Sequence, residues 1–197
     1  SQTESPFTLF GGFSRLLSSL VHALVVGQLW SLGLSLLIVT GIVALLFRSL
    51  AAGLLAFAPL AAAMATLFGL MGLVGVELNH ITALLSSIMI GVGVDYTIHF
   101  LWRYRDERAA GREPADAVYT TLTTTGRGIV FNALSVIVGF AVLLFSGFLP
   151  VKWFGFLVTV SIGASLIGAL VVAPAMVLKL RPRFLEPAAN NDSSPAA

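Results

Sequence analysis

Five runs of apolar residues, each long enough to cross a bilayer as a helix, constrain this chain more than any other feature. A helix needs about 20 apolar residues to cross a hydrocarbon core of about 30 Å. The chain is 57% hydrophobic and 10% charged, whereas soluble domains are about a quarter charged. We therefore predict an all-α integral membrane protein, a five-transmembrane-helix bundle over residues 28–180. The runs cover about 28–47, 51–74, 81–101, 128–149 and 153–178.

Basic residues predict how these helices are oriented, because Lys and Arg concentrate in cytoplasmic loops. One set of connections, 75–80 and 150–152, contains only Lys152. The other set contains Arg48, Arg103, Arg105, Arg108, Arg112, Lys179, Arg181 and Arg183. The arginine-rich side is therefore expected to be cytoplasmic. In a bacterial-type inner membrane, this orientation places the N-terminus on the outer side and the C-terminus on the cytoplasmic side.

The segments outside the five runs have simpler interpretations. Residues 1–27 have apolar side chains at helical spacing and are predicted to form an amphipathic lead-in at the outer surface. A substrate gate is the alternative for this segment. Pro114 predicts the start of a cytoplasmic helix over 114–125. The low-complexity stretch 181–197 is predicted to be a disordered cytoplasmic tail. An N-terminus outside, without a signal sequence, leads us to expect that more chain precedes it.

An aspartate lies within the third apolar run, in GVGVDYTIHF (91–100). Placing Asp near the centre of a membrane helix costs about 2.5–3.5 kcal/mol, so an apolar residue would pack there at lower cost. Asp95 follows Ser87 and Gly91 and precedes His99 at steps of four, which places all four on one helix face. A carboxyl group that is charged or neutral according to access is what a proton carrier requires. The alternative is a permanent hydrogen-bonding role between helices.

The fourth run has a second seam of small and polar residues. Asn132 stands out because its amide needs partners in hydrocarbon, and we predict that it faces Asp95. Tyr96 is expected to donate a hydrogen bond near the same place, and His99 to exchange protons with Asp95 or to be an interfacial histidine. The seam recurs at steps of three and four and consists of Thr121, Thr125, Gly128, Asn132, Ser135, Gly139 and, after Val142, Ser146.

Several chemistries are excluded or disfavoured. The chain has no Cys, so disulfides, thiolate metal sites and cysteine nucleophiles are excluded. A dinucleotide site needs a third glycine and a strand before the helix, and GVGVDY has neither. An intramembrane aspartyl protease needs two carboxylates that share a proton, but Asp95 is the only acidic residue within a run. We expect no cofactor, no metal, no nucleic-acid partner and no enzymatic activity.

Longer motifs point to a family. GVGVDYTIHFLWRYRDE (91–107) resembles the G-x-G-x-D-Y-x-x-H-x-x-x-R-Y-R-E segment of the resistance–nodulation–division (RND) superfamily of proton-driven exporters. The resemblance is strongest to its mycobacterial-membrane-protein-large (MMPL) and hopanoid-exporter-like branches. It extends over nearly the whole chain and includes LFRSL (46–50), TTTGRGIVFNALSVIVGF (123–140), FGFL (154–157) and APAMVL (173–178).

The resemblance implies more than the residues alone do. Such exporters have twelve spans in two pseudo-symmetric halves, and this chain resembles the five helices that close one half, in particular the C-terminal one. This unit also has the topology of a sterol-sensing domain. In the family, Asp-Tyr pairs from the two halves meet and relay protons, and Asp95 and Tyr96 match that position. Many drug exporters use a lysine in the second half instead, and no run here contains one.

These expectations combine into a functional hypothesis. The chain is expected to be the membrane-embedded, proton-coupling part of an exporter of lipids or other hydrophobic compounds, with protons as the coupling ion. Asp95, Tyr96 and His99 would form the proton relay, supported by Ser87, Gly91, Asn132 and Ser135. The remaining half of the transporter, from the same longer chain or a second copy, would be its partner, together with membrane lipids. The alternatives are a sterol- or lipid-sensing module that does not pump, and a scaffold subunit.

Overall fold

A computed structural model describes the backbone of residues 6–76 and 80–180, and the side chains of 19, 22, 23, 25–76 and 85–180. Five stretches in these ranges are long and apolar enough to cross a membrane, which confirms the predicted five-helix bundle. The shortest, Val25–Leu46, has 22 residues and would be ~33 Å long as a helix. The other four are Leu50–Val74, Leu85–Ala109, Pro114–Phe145 and Leu149–Leu180.

The elements are all helical within the described ranges. They are α1 (Pro6–Leu46), α2 (Leu50–Val74), α3 (His80–Ala109), α4 (Pro114–Thr121), α5 (Arg127–Ala141), α6 (Leu149–Ile167) and α7 (Ala173–Leu180). A π-helical turn, Leu122–Gly126, joins α4 to α5, and a second one, Gly168–Val172, joins α6 to α7. A 3₁₀ turn, Val142–Phe145, ends the fourth span.

The helix boundaries differ from the predicted ones where apolar and charged segments join. The lead-in and the first span form one helix, α1, since no proline or turn sequence separates them. The segment 114–125 likewise continues through the π turn into α5 without a break. Helix α3 extends to Ala109, beyond the predicted end at 101, because the charged residues that follow the apolar run continue the same helix. Residues 1–5 and the predicted tail 181–197 lie outside the described residues.

Helix α6 lies at the centre of the bundle and packs against α2, α3 and α5, while α1 packs on α2 and α3. Its side chains Leu157, Val158 and Ile162 are buried. Helix α5, by contrast, packs mainly on α6, and α3 packs on the π turn that precedes α5. Beyond that turn α3 and α5 diverge, which leaves space between them.

The tight crossing of α5 and α6 depends on a glycine. A Cβ at Gly155 would lie 2.7 Å from Leu143 Cβ and 2.9 Å from Phe140 O, closer than real Cβ contacts. Neither atom belongs to the flexible end of a side chain, so a larger residue would push the two helices apart. Close backbone approach at small residues is how membrane helices gain van der Waals contact.

A buried carboxylate joins α3 to α4. The Glu107 carboxylate contacts Arg103 Nη2 at 2.5 Å and Arg112 Nε at 2.7 Å, and its side chain is only 7% exposed. Arg112 Nη1 also donates to Thr120 Oγ1 in α4 at 2.9 Å. The Arg108 guanidinium donates to the Arg112 carbonyl. Charge-assisted bonds of this kind are strong and geometrically specific, so α4 is fixed at the arginine-rich end of α3.

We predict that Gly155→Ala destabilises the bundle, whereas Gly163→Ala in the same helix does not. No atom lies within 4 Å of a Cβ at Gly163, so the comparison cancels the gain in helix propensity and leaves the steric effect. Overpacking of this kind costs about 1–3 kcal/mol. Denaturant titration of the detergent-solubilised protein measures the difference in the free energy of unfolding. Equal effects of the two substitutions would contradict the close crossing.

We also predict that Glu107→Gln loosens α4 without affecting the apolar helices. Loss of a charged hydrogen-bond acceptor, partly offset by solvation of the arginines, should speed amide hydrogen exchange over 113–121 about tenfold. The matched control is Asp106→Asn, which changes the exposed neighbouring carboxylate. Unchanged exchange in the Glu107 variant would show that α4 is held by other contacts.

Candidate functional site

Helix α3 has two faces of different character. Ser87, Gly91, Asp95 and His99 form one face, and all four residues are exposed in the described chain. Successive steps of four residues align them along the helix. This is the stripe that the sequence predicts, and it lies opposite the face of α3 that packs on α2 and α6.

The opposite face of α3 determines this orientation. A Cβ at Gly93 would lie 3.1 Å from both Leu60 Cδ1 in α2 and Ser165 Oγ in α6. Next to it, the buried Thr97 donates from Oγ1 to Gly93 O at 3.0 Å, so its hydroxyl needs no other partner. Sequence analysis overlooked Gly93, although it is the second glycine of the GVG motif. Its close contact turns Asp95 outward.

A cavity of about 270 Å³ lies between α3 on one side and the end of the π turn and the first turns of α5 on the other. Its volume leaves room for several water molecules. The structure thus brings Asn132 to the same cavity as Asp95, together with Tyr96 and His99. The full set of lining residues is Asp95, Tyr96, His99, Thr125, Gly128, Ile129 and Asn132.

Two titratable groups meet at the mouth of the cavity. Asp95 Oδ1 and His99 Nε2 are 3.4 Å apart, one helical turn from each other. Their side chains are 58% and 61% exposed, so the cavity is open on this side. A carboxylate and an imidazole at this distance can both bind a proton and can pass one between them.

Other polar groups at the cavity have no partner within the described part of the chain. The Tyr96 hydroxyl is buried without a hydrogen bond. The Thr125 hydroxyl and the Asn132 amide likewise have no hydrogen-bond partner among the residues described. In hydrocarbon, each such group would destabilise the protein unless water or another protein group formed a hydrogen bond with it.

The threonines that precede Thr125 behave differently. Thr121, Thr123 and Thr124 donate to backbone carbonyls of Ala117, Tyr119 and Thr120 at 2.7–2.9 Å. Such bonds satisfy the hydroxyl within its own helix. The composition TTLTTT therefore conceals two roles, since Thr125 alone of this run lines the cavity.

The π turn Leu122–Gly126 ends where the cavity begins. π-helical turns are rare and often occur at functional sites. A Cβ at Gly126 would lie 3.6 Å from Leu170 Cδ2, and Leu170 belongs to the second π turn, Gly168–Val172. The two irregular turns are therefore in contact beside α3.

Three predicted support residues lie outside the cavity lining. Ser87 and Gly91 continue the exposed face of α3 beyond Asp95, and no atom lies within 4 Å of a Cβ at Gly91. Ser135 is exposed on α5, and its Oγ donates to Phe131 O at 2.8 Å. Among the described side chains, no group of three His, Asp or Glu lies close enough together to hold a metal ion.

Comparison with known proteins gives these features a context. The model of the MMPL family matches residues 11–191. A Methanocaldococcus jannaschii protein named as a membrane protein is 27% identical over 132 residues, 67% of this chain and 34% of the relative. The heme uptake protein MmpL11 of Mycobacterium tuberculosis is 34% identical over 122 residues, 59% of this chain and 12% of MmpL11.

A further relative is the protein named probable transport protein MmpL12 of Mycobacterium tuberculosis, 31% identical over 140 residues, 69% of this chain and 12% of MmpL12. The matched regions are therefore 34% of the Methanocaldococcus jannaschii relative and 12% of each of the two mycobacterial relatives. No solved structure matches the chain significantly. The family model covers nearly the whole chain and confirms the resemblance drawn from the motifs around Asp95: the chain belongs to the MMPL family.

Proposed function

We propose that this chain is the membrane-embedded, proton-coupling part of a secondary active transporter that exports lipids or other hydrophobic compounds. The observation that carries the proposal is the carboxyl group of Asp95, which lies within a span and opens to a polar cavity. The names of the mycobacterial relatives, a probable transport protein and a heme uptake protein, support transport, while the hydrophobic cargo and its export are part of the proposal. The chain spans a small part of these relatives, so the activity of the whole protein is part of the proposal.

The surroundings of Asp95 favour a group that binds and releases a proton. A permanently charged carboxylate at membrane depth would need several donors, yet its one ionic partner in the described chain is His99 at 3.4 Å. In the proposed cycle Asp95 binds the proton and His99 exchanges it with water on the arginine-rich side. Asn132, Thr125 and cavity water offer hydrogen bonds to both the neutral and the charged carboxyl. Tyr96 is the third residue of the proposed relay and contributes its hydroxyl group.

The exposed face of α3 requires a cover inside a membrane. Lipid cannot hydrogen-bond to the Asp95 carboxyl or to the amide of Asn132. We propose that the other half of the transporter, from the same longer chain or from a second copy, packs there and brings its own relay groups. Ser87, Gly91 and Ser135 would then lie along this interface, where small residues allow close packing.

Protonation is proposed to move the helices through the π turn Leu122–Gly126. A proton bound at Asp95 changes the net charge of the cavity, and Thr125 of the π turn lines the same cavity. One elementary charge that crosses 100 mV gains about 2.3 kcal/mol, enough to shift a two-state equilibrium about fiftyfold. Because the two π turns touch at Gly126 and Leu170, a change in one would reach α7 as well.

The orientation and location belong to the same proposal. Arg103, Arg105, Arg108 and Arg112 cluster at one end of α3 and in the loop that follows, and Arg48 lies in the turn between α1 and α2. By the positive-inside rule this end is cytoplasmic, in a bacterial-type inner membrane. The proton would then enter Asp95 from the outer side and leave inward, as antiport requires.

We expect Asp95 to contribute one component of the protonated-carboxyl band in pH-dependent infrared difference spectra of the reconstituted protein, and we expect Asp95→Asn to remove that component. This readout does not depend on the cargo. The matched control is Asp116→Asn in α4, which makes the same change on an exposed residue and should leave the Asp95 band in place. Difference spectra that are the same with and without the Asp95 carboxyl would show that this carboxyl does not exchange protons.

Transport separates the proposal from a lipid-sensing module. In cells, Asp95→Asn should abolish export of a labelled hydrophobic compound while the protein still inserts in the membrane, since the driving reaction is lost. Lipid binding to the purified variant should persist. Undiminished transport would contradict the proposal, whereas lipid binding without transport or proton movement in the unchanged protein would favour the sensor.

A further inference from the structure

Besides the cavity at Asp95, an apolar groove lies at the end of the bundle opposite the arginines. It has a volume of about 360 Å³ and runs between the end of α2, the end of the fourth span and the first turns of α6. Pockets that bind small molecules typically measure about 300–1,000 Å³. It shares no residue with the cavity at Asp95, and its lining consists of Val74, Leu144, Leu149, Lys152, Trp153 and Phe156.

Lys152 gives this apolar groove a single positive charge. It is exposed, and it has no ion-pair partner within the described part of the chain. Of the basic side chains described, it is the only one at this end of the bundle, since the arginines of α3 and Lys179 of α7 lie at the other end. The positive end of the α6 dipole, which begins at Leu149, adds to the same charge.

The aromatic neighbour of Lys152 places the groove at the depth of lipid headgroups. Trp153 packs edge-on against Phe156 with ring centroids 6.0 Å apart, so that its indole lines the groove beside the lysine. Tryptophan prefers the membrane–water interface, and lysine extends its charged end to the headgroups while its stem stays in apolar surroundings. A cation at the mouth and apolar walls beneath it match a molecule with an anionic head and an acyl chain.

We propose that this groove is a binding site for an anionic phospholipid of the surrounding bilayer. The lipid phosphate pairs with Lys152 Nζ, and one acyl chain lies along Val74, Leu144 and Phe156. The occupant is a lipid rather than a protein segment because the walls are apolar and lie at one end of a membrane span, while the unpaired charge lies at the mouth. The inference is independent of the proposed transport, since it requires only that the helices span a bilayer.

The test uses the protein in its natural length, reconstituted in phosphatidylcholine vesicles that contain a minor fraction of brominated lipid. Bromine on an acyl chain quenches tryptophan at short range, and the part due to Trp153 is the difference from the Trp153→Phe variant. Brominated phosphatidylglycerol should occupy the groove about fivefold more strongly than brominated phosphatidylcholine, as one lysine near an anionic surface provides.

Substitutions at the lysine identify the site. Lys152→Gln should bring the preference for phosphatidylglycerol close to one, while Lys152→Arg, which keeps the charge, should retain it. Lys179→Gln, which removes a cation at the other end of the chain's last span, is the matched control and should also retain it. Equal quenching by the two lipids, a preference that survives Lys152→Gln, or no quenching of Trp153 because protein covers the groove would each overturn the proposal.

Discussion

The absence of water in the bilayer core is the constraint on which this structure depends. Backbone groups meet it by forming helices, and several side-chain hydroxyls meet it by bonding to their own helix, as Thr97, Thr121 and Ser161 do. The groups that do not meet it within the described chain include the Tyr96 hydroxyl and the Asn132 amide at the Asp95 cavity. An unsatisfied cluster at membrane depth is stable only if something outside these residues completes it.

The packing of α3 explains why that cluster is on the surface of the unit. Gly93 lets α3 lie against Ser165 of α6, and Tyr96 and Phe100 are buried on the same side of the helix axis or next to it. The opposite face, with Asp95 at its centre, is consequently left to whatever packs on the bundle. The Asp95 cavity therefore has two different sides. On one side α3 packs closely on α2 and α6, and on the other side the cavity is lined by the irregular π turn and the start of α5.

The number of spans and the shared face of the polar residues of α3 could be predicted from the sequence, because both follow from apolar run length and the helical period. The prediction that Asn132 faces Asp95 rests on the expense of polar groups in hydrocarbon, and the two residues line the same cavity. Which glycine makes the close contact could not be predicted, since both Gly91 and Gly93 have apolar neighbours in sequence and only the positions of α2 and α6 distinguish them. The Glu107 contacts were missed because Arg112 reaches back across a turn. The π turns depend on one extra residue per turn, which leaves no mark in hydrophobic periodicity.

The two ends of the bundle differ in how they use charge. At one end Glu107 forms ion pairs with both Arg103 and Arg112, and these charges hold α4 in place. At the other end Lys152 is unpaired in the described chain and stands over an apolar groove. Paired charges fix protein to protein, whereas a single exposed cation at headgroup depth is available to the anionic groups of the membrane. Basic residues thus fix α4 at one end of the bundle, and at the other end a basic residue is proposed to bind a lipid.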